Sequence, residues 1–266
     1  MKAKTKPRKV DRALLQHPSF PLSSKYDSNW IIENSMGPNV LWLTEWLCQE
    51  LKLKPGMKVL DLGCGRAISS IFLAKEFGVT VWASDLRVKA NDNWERIKKA
   101  GFEDKVFPLD ADARDLPYTH DFFDCIMCID SYIYFGTDDL YLDYLSKFIK
   151  KSGYLAVVVP GLVSEFPSGR LPKHLKNFWG QDCWSWHTLD WWKNLWEKTG
   201  LVSIKNADSM PNFWKLYLNW KLAQEKANTN PWPDDIKVIK EDRGEYIGLH
   251  RLIARRKEII EIPTAE

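Results

Sequence analysis

Apolar residues recur along the chain in two spacings, short continuous runs and longer stretches with helical periodicity. The runs are typical of buried strands, and the stretches are typical of helices with one apolar face. The runs predict strands over residues 58–62, 79–84, 106–109, 125–129 and 154–159. The periodic stretches predict helices over residues 38–53, 67–77, 88–100 and 137–148. Such alternation favours a parallel sheet covered by helices on both faces.

The C-terminal part continues the pattern with two helices, over 189–200 and 212–227, and two strands, one from residue 201 and one over 246–254. Lys150, Lys151 and Gly153 are expected to end the helix before them, because basic residues and glycine are typical of helix C-termini. The elements together predict an α/β fold. Its doubly wound, mostly parallel sheet has seven strands, with helical and loop insertions as a cap.

Proline, glycine and charge divide the chain into one domain with two tails. Residues 1–25 are expected to be a flexible, basic tail, and residues 258–266 form the second tail. The domain between them, 26–257, is predicted to contain an N-terminal cap at 26–56, a cofactor-binding half at 57–160, and substrate-cap insertions at 161–186 and 211–233.

The composition is that of an ordinary soluble protein, with 45% hydrophobic residues, 27% charged residues and a net charge of +3. So small a charge does not indicate a polyanionic partner, and much of it lies in the basic tail. The apolar stretch 154–163 is interrupted by Pro160 and is too short to cross a bilayer. No apolar segment follows the N-terminal charges, so we expect no secretory signal and a cytoplasmic protein.

The five cysteines indicate neither a disulfide framework nor a metal site. Cys125 and Cys128 form a C-x-x-C, but they lie in a predicted strand, where side chains three residues apart point to opposite faces. They cannot converge on one ion, and the histidines show no metal-ligand spacing either. We expect reduced thiols in the core and no metal.

The first predicted strand runs into a glycine-rich turn, Asp61 to Gly65. Such a turn lets the backbone approach a ligand closely beside a helix N-terminus. Asp61 places a carboxylate at the strand end, where it would repel a dinucleotide phosphate and attract an ammonium group. The residue three positions beyond Gly65 is Ile68, so the pyrophosphate-binding pattern of dehydrogenases is incomplete.

Two further carboxylates follow the next strands. Asp85 ends the second strand, where it could accept hydrogen bonds from both hydroxyls of a ribose. Asp112 lies in a polar turn after the third strand. Three carboxylates at successive strand ends favour a ligand site over three unrelated turn residues.

These segments resemble the successive motifs of the class I, Rossmann-like S-adenosylmethionine-dependent methyltransferases, in particular the type 11 small-molecule group. The resemblance covers residues 57–160, and it implies that the last strand of the sheet is antiparallel. It implies that the glycine turn passes under the methionine part of S-adenosyl-L-methionine and that Asp85 holds the ribose. It also implies that Asp112 and the backbone amide of Ala113 bind the adenine. The cofactor-binding residues expected on this basis are Asp61, Gly63, Cys64, Gly65, Asp85, Leu86, Asp112, Ala113 and Asp130.

The chain departs from the family pattern at two places. Ala67 stands where a third glycine is often found, and Lys151-Ser152-Gly153 replaces the usual Pro-Gly-Gly before the fifth strand. Neither change removes a charged contact.

The catalytic candidates follow the fourth strand, where this family usually places residues that face the methyl group. Asp130 could accept a proton or orient an amine, and Tyr132 or Tyr134 could supply a hydrogen bond. A turn with tyrosines packed under a lid is the alternative. His187, at the start of a predicted helix, is a candidate general base or a structural residue.

Tryptophan is concentrated in the predicted cap, with nine of fourteen between Trp179 and Trp232. Trp192, Leu195 and Trp196 share one helical face, so we expect them in the core. Trp179, Trp184 and Trp186 lie in a loop, where they could either pack or form a cage for a cationic amine.

The sequence therefore predicts methyl transfer from S-adenosyl-L-methionine to a small molecule, with an amine held by an aromatic cap as one form of acceptor. A non-catalytic methyltransferase-like binding module is an alternative. A nucleic-acid or protein methyltransferase is disfavoured, since no basic groove is indicated and Ile129-Asp130-Ser131-Tyr132 replaces an Asn/Asp-Pro-Pro-Tyr-like element. The oligomeric state is not specified.

Overall fold

The computed structural model describes residue 10 and residues 12–258. Its strands are β1 (Lys58–Leu62), β2 (Thr80–Asp85), β3 (Val106–Asp110), β4 (Phe123–Ile129), β5 (Ile149–Leu162), β6 (Val202–Ser209) and β7 (Ile247–Arg256). They form one sheet in the order β3-β2-β1-β4-β5-β7-β6. Strands β1 to β5 pair in parallel, and β7 lies antiparallel between β5 and β6. The predicted seven-stranded sheet with an antiparallel last strand is confirmed.

Helices cover both faces of this sheet. They are α1 (Ser28–Asn34), α2 (Val40–Cys48), α3 (Ile68–Phe77), α4 (Ala90–Ala100), α5 (Tyr141–Ser146), α6 (Leu189–Glu197), α7 (Phe213–Lys226) and α8 (Asp235–Asp242). Buried residues of α2, α3, α4 and α7 pack in one hydrophobic cluster, and those of α5 and α6 pack in a second. The strands between the two clusters are buried on both sides, as continuous apolar runs require.

Alternation along β4 divides its side chains between these two clusters. Cys125 lies in the cluster of α2 and α3, whereas Cys128 lies in that of α5 and α6. The expectation that the two thiols point to opposite faces is confirmed. Trp192 and Trp196 are 0% exposed and Leu195 is also buried, which confirms that this face of α6 packs in the core.

The residue before α3 adopts a backbone conformation that favours glycine. Ala67 is the residue before the helix and has a left-handed φ of 56°, while Gly78 ends the helix with a φ of 66°. A left-handed conformation costs a residue with a Cβ about 1–2 kcal/mol. Ala67 is nevertheless fully buried, so the chain keeps the same turn with a small strained residue.

Several boundaries differ from the prediction. Helix α2 is shorter than residues 38–53, and the short helices α1 and α8 were not predicted, because neither has a long apolar stripe. The helix stop at Lys150 and Lys151 was wrong, since both lie in β5. The Nζ of Lys150 is 2.7 Å from Oδ1 of Asp124 on the neighbouring β4, so strand pairing prevails over the local helix signal.

Residues 14–25 were expected in a flexible tail, but they pack against the domain. Leu15 and Phe20 are at most 3% exposed. The buried Glu45 of α2 accepts hydrogen bonds from the backbone N–H groups of Leu22 and Ser23, at 2.9 and 2.7 Å, and from the Ser23 hydroxyl. The packed domain therefore begins before residue 26. Residues 1–9, 11 and 259–266 of the predicted tails lie outside the described residues.

No helix within the described ranges is both long enough and apolar enough to cross a membrane.

We expect Glu45→Ala to lower the free energy of unfolding by about 3 kcal/mol, because it leaves two buried N–H donors without a partner. It should also make residues 14–25 sensitive to limited proteolysis. Denaturant unfolding of this variant would be compared with that of Glu197→Ala, an exposed helical control expected to change stability by less than about 0.5 kcal/mol. Equal effects of the two substitutions would contradict this anchoring role.

Candidate active site

A cavity of about 570 Å³ opens at the carboxyl ends of the parallel strands. It is lined by the turns that follow β1, β2, β3 and β4, by the segment between α1 and α2, and by Asp182 and Trp232. Strand β1 lies between β2 and β4, so the connections leave it in opposite directions. A parallel sheet opens a ligand crevice at such a point.

The turn after β1 forms a bare backbone wall of this cavity. Gly63 and Gly65 have φ values of 76° and 54°, a region where side chains are strained. A Cβ on Gly63 would lie 2.5 Å from the side chain of Ser131, whose hydroxyl donates to the Leu62 carbonyl at 2.8 Å. The turn after β4 therefore packs directly on the glycine turn, and only glycine fits between them.

Asp85 joins the turns after β1 and β2. One carboxylate oxygen accepts from the backbone N–H of Gly65 at 2.8 Å, and the other accepts from the N–H groups of Arg87 and Val88, each at 2.8 Å. A carboxylate has about four acceptor positions, so it can still accept from a ligand hydroxyl.

The turn after β3 is held from two sides. Both oxygens of Asp112 accept from the Arg114 guanidinium at 3.1 Å, and these hydrogen bonds lower the pKa of Asp112. The Tyr141 hydroxyl donates to the carbonyl of Ala113 at 2.9 Å. Asp112 and Ala113 both line the cavity, on the same side as the turn after β2.

Asp61 does not line the cavity, contrary to the expected direct contact with an ammonium group. It is 1% exposed, and one of its oxygens accepts from the hydroxyls of Ser69 and Ser70, each at 2.6 Å. The other oxygen has no hydrogen-bond partner in the described part of the chain. Burial raises the pKa of Asp61 to about 6, although the two serines act in the opposite direction.

Asp130 lies at the end of β4 and lines the cavity. Its φ of 61° is left-handed, which turns the chain sharply after the strand. Its carboxylate has no hydrogen bond or ion pair among residues 10 and 12–258. Burial, followed by the nearby charge of Asp182, raises the pKa of Asp130 to about 7.

Of the three other catalytic candidates, only Tyr134 lines the cavity. Tyr132 is 0% exposed and packs against Trp192 and Trp196, with ring centroids 5.6 and 5.9 Å away. Its expected role at the reacting atoms is therefore corrected to a core role. His187 stacks on Trp191 at 3.6 Å and its carbonyl accepts from Leu162, so it braces the start of α6 and is not a base in this cavity.

The loop tryptophans do not form the expected cage around this cavity. Trp179 packs on Phe166 at 5.0 Å and Trp184 is 70% exposed; neither they nor Trp186 line the cavity. Trp232 lines it instead. Sequence reasoning missed Trp232 and Asp182 as individual site residues, although both lie near or within the predicted substrate-cap segments.

Comparison with known proteins agrees with this geometry. Residues 59–153 match the family model described as a methyltransferase domain. The methyltransferase GfsG of Streptomyces halstedii is 36% identical over 117 residues, which cover 43% of this chain and 42% of that protein. Residues 59–153 are thus similar to known methyltransferase domains. A sarcosine/dimethylglycine N-methyltransferase of Aphanothece halophytica is 27% identical over 47% of this chain and 46% of its own length.

The chain thus spans less than half the length of the curated relatives that it matches. The similarity in fold covers more of the chain than the similarity in sequence. The geranyl diphosphate C-methyltransferase of Streptomyces coelicolor A3(2) superposes with a TM-score of 0.68, covering 96% of this chain and 92% of that one at 17% identity. At this identity the likeness shows the fold alone.

The cavity brings together most of the predicted site residues. Those that line the cavity are Gly63, Cys64, Gly65, Asp85, Leu86, Asp112, Ala113, Asp130 and Tyr134. The cofactor contacts that the resemblance assigns to them stay predictions. In the described ranges no three or more His, Cys, Asp or Glu side chains are grouped to hold a metal ion.

We expect Asp61→Asn to change how stability depends on pH. The folded protein holds the Asp61 proton more tightly than the unfolded chain, where the pKa is about 4. The stability tied to this proton is therefore lost as pH rises through about 6. From pH 5 to pH 8 the wild type should lose about 1.5 kcal/mol that the variant retains.

Denaturant unfolding at both pH values would measure this difference, with the exposed Asp104→Asn as the control. Parallel pH profiles for wild type and Asp61→Asn would show that the buried carboxyl does not titrate in this range.

Proposed function

We propose that this protein transfers the methyl group of S-adenosyl-L-methionine to a small-molecule amine. One observation carries the proposal. A single cavity joins the three strand-end turns of the methyltransferase domain to a second end lined by Asp130, Asp182, Tyr134 and Trp232. One end suits the methyl donor, and the other suits an acceptor.

The donor end fits the cofactor in shape and chemistry. The bare backbone at Gly63 and Gly65 leaves room that a Cβ would fill, at 2.5 Å from Ser131 and 3.2 Å from the Met36 sulfur. Asp85 keeps acceptor capacity for ribose hydroxyls, and Asp112 with Ala113 would hold the adenine. The cavity volume lies within the range of about 300–1,000 Å³ that is usual for small-molecule sites.

When bound, S-adenosyl-L-methionine supplies an electrophilic methyl group on a sulfonium. Transfer is an in-line displacement, so the protein must hold the acceptor atom in line and keep water away. A base is needed only where the acceptor has a proton to lose.

The acceptor end favours a cationic amine. Asp130 has no ion pair or side-chain hydrogen bond within the described residues, and a buried carboxylate without a partner is costly. The exposed Asp182 adds a second negative charge beside it. An ammonium group would offset that cost, whereas an ionised phenol or carboxylic acid would be repelled. Trp232 and Tyr134 already have a cation near one ring face, Lys221 at 4.8 Å and Arg87 at 5.9 Å, so a cationic acceptor would use the opposite faces. The similarity to a sarcosine/dimethylglycine N-methyltransferase supports the same acceptor class.

Asp130 has the properties of a base for such an acceptor. An ammonium nitrogen must lose its proton before its lone pair can form the new bond to carbon. With a pKa of about 7, Asp130 is ionised above neutral pH and can accept that proton. Burial raises the pKa of Tyr134 to about 12, so its phenol stays neutral and can donate a hydrogen bond.

We expect S-adenosylhomocysteine, the product of methyl loss, to raise the melting temperature of the wild type. Asp85→Asn should weaken its binding at least about 10-fold, because one acceptor oxygen becomes a donor where ribose hydroxyls are bound. Asp104→Asn, an exposed aspartate outside the cavity, is the control. A wild type with no ligand shift would refute the proposed function.

We expect methyl transfer with small amines that carry no carboxylate, such as N-methylethanolamine, and not with matched phenols or carboxylic acids that lack an amino group. Asp130→Asn should lower kcat/KM about 100-fold and abolish the rise in activity through pH 7, since the amide cannot accept the proton. Asp182→Asn should move that rise to lower pH, because Asp182 raises the pKa of Asp130. Initial rates from pH 5.5 to 9 would measure both effects.

Turnover only with phenols or acids would reject the amine and keep the methyltransferase. Ligand binding without any turnover would favour a binding module. Tight, salt-sensitive binding of a nucleic acid would favour a macromolecular acceptor.

A further inference from the structure

A buried lysine lies next to the acceptor end of the cavity. The side chain of Lys221, on α7, is 2% exposed, and its Nζ is 2.6 Å from a carboxylate oxygen of Asp235 at the start of α8. Replacing such a pair with apolar residues often leaves stability unchanged or increases it. A contribution to overall stability therefore does not explain why a lysine is buried at this position. The contacts of the Lys221 side chain indicate a different role.

The ammonium group of Lys221 also lies against two aromatic rings. Its Nζ is 4.8 Å from the ring centroid of Trp232 and 5.3 Å from that of Tyr217. Trp232 belongs to the connection between α7 and α8 and lines the cavity while 51% exposed. A half-exposed ring on a connecting segment needs a contact from the domain to keep one position, and the Lys221–Asp235 pair supplies it.

The residue before Lys221 contacts the backbone beside Asp130, which also lines the acceptor end. The indole N–H of Trp220, which is fully buried, donates to the carbonyl of Gly37 at 2.9 Å. A Cβ on Gly37 would lie 2.6 Å from a carboxylate oxygen of Asp130, so Gly37 packs directly on that carboxylate. Two adjacent residues of α7 therefore support the acceptor end. Lys221 contacts the ring of Trp232, and Trp220 contacts the backbone of Gly37, which packs on the Asp130 carboxylate.

We propose that Lys221, through its ion pair with Asp235, is a positioning residue that holds Trp232 at the acceptor end and so determines acceptor affinity. The inference rests on the proposed function for the identity of the ligand, but not for the position of the ring. Lys221 is not among the residues that line the cavity, so it acts through Trp232 and not on the donor end.

The test compares Lys221→Met with Lys226→Met, an exposed lysine on the same helix. With the amine that the wild type methylates fastest, Lys221→Met should raise KM about 10-fold and change kcat less, while the melting shift with S-adenosylhomocysteine stays as in wild type. Hydrogen exchange of residues 228–234 should become faster. Lys221→Arg should restore part of the affinity, because it keeps the cation.

A double-mutant cycle separates positioning from a general structural role. In a Trp232→Ala background, Lys221→Met should raise KM no further, because the ring through which it acts is gone. Additive effects, or an unchanged KM in the single variant, would overturn the proposal. If Lys221→Met does not fold, Asp235→Asn takes its place in the cycle.

Failure of the proposed function would be distinguishable. A wild type that neither binds S-adenosylhomocysteine nor methylates any amine would refute that function, and hydrogen exchange would still decide the position of the ring. Unchanged exchange of residues 228–234 in Lys221→Met would overturn the positioning role in either case.

Discussion

The carboxylate of Asp85 holds the strand-end turns on which the rest of the site is built. It accepts from the backbone of the glycine turn after β1 and from the turn after β2, with three hydrogen bonds of 2.8 Å. Charge-assisted hydrogen bonds of this length are stronger than neutral ones, so the two turns act as one rigid unit. The turn after β4 packs on this unit through Ser131, where only glycine leaves room.

The carboxylates at the two ends of the cavity above these turns differ in their hydrogen bonding and in their pKa. At the donor end, each carboxylate that lines the cavity already has donors, since Asp85 is bonded to backbone amides and Asp112 to Arg114. At the other end, burial and a second carboxylate raise the pKa of Asp130 to about 7. A carboxyl group whose pKa is near 7 can gain or lose a proton during a reaction, and carboxylates paired with hydrogen-bond donors do not readily do so. This difference between the two ends supports the proposal that one end binds the methyl donor and the other binds the amine.

The residues around the acceptor end come from parts of the chain that are far apart in sequence. Gly37 belongs to the segment before α2, Asp130 follows β4, and Trp232 follows α7. They meet because α7 packs across the N-terminal cap, with Trp220 bonded to Gly37 and Lys221 in contact with Trp232. Variation around Trp232 would alter the acceptor end more than the donor end, since the donor turns follow strands of the sheet.

The sequence by itself determined the order of the strands and of six of the eight helices that the structure describes, the glycine turn, and the placement of Asp85, Asp112 and Asp130 at or just after strand ends. These features are local, because runs of apolar residues and turn-forming glycines act through their neighbours in the chain. Only the tertiary structure decided that Tyr132 lies in the core, that His187 supports α6, that Asp61 lies behind Ser69 and Ser70, and that Trp232 rather than Trp179, Trp184 or Trp186 reaches the cavity. Each of these outcomes depends on how side chains from distant elements pack together in the same space. The spacing of apolar and polar residues within one segment does not determine that packing.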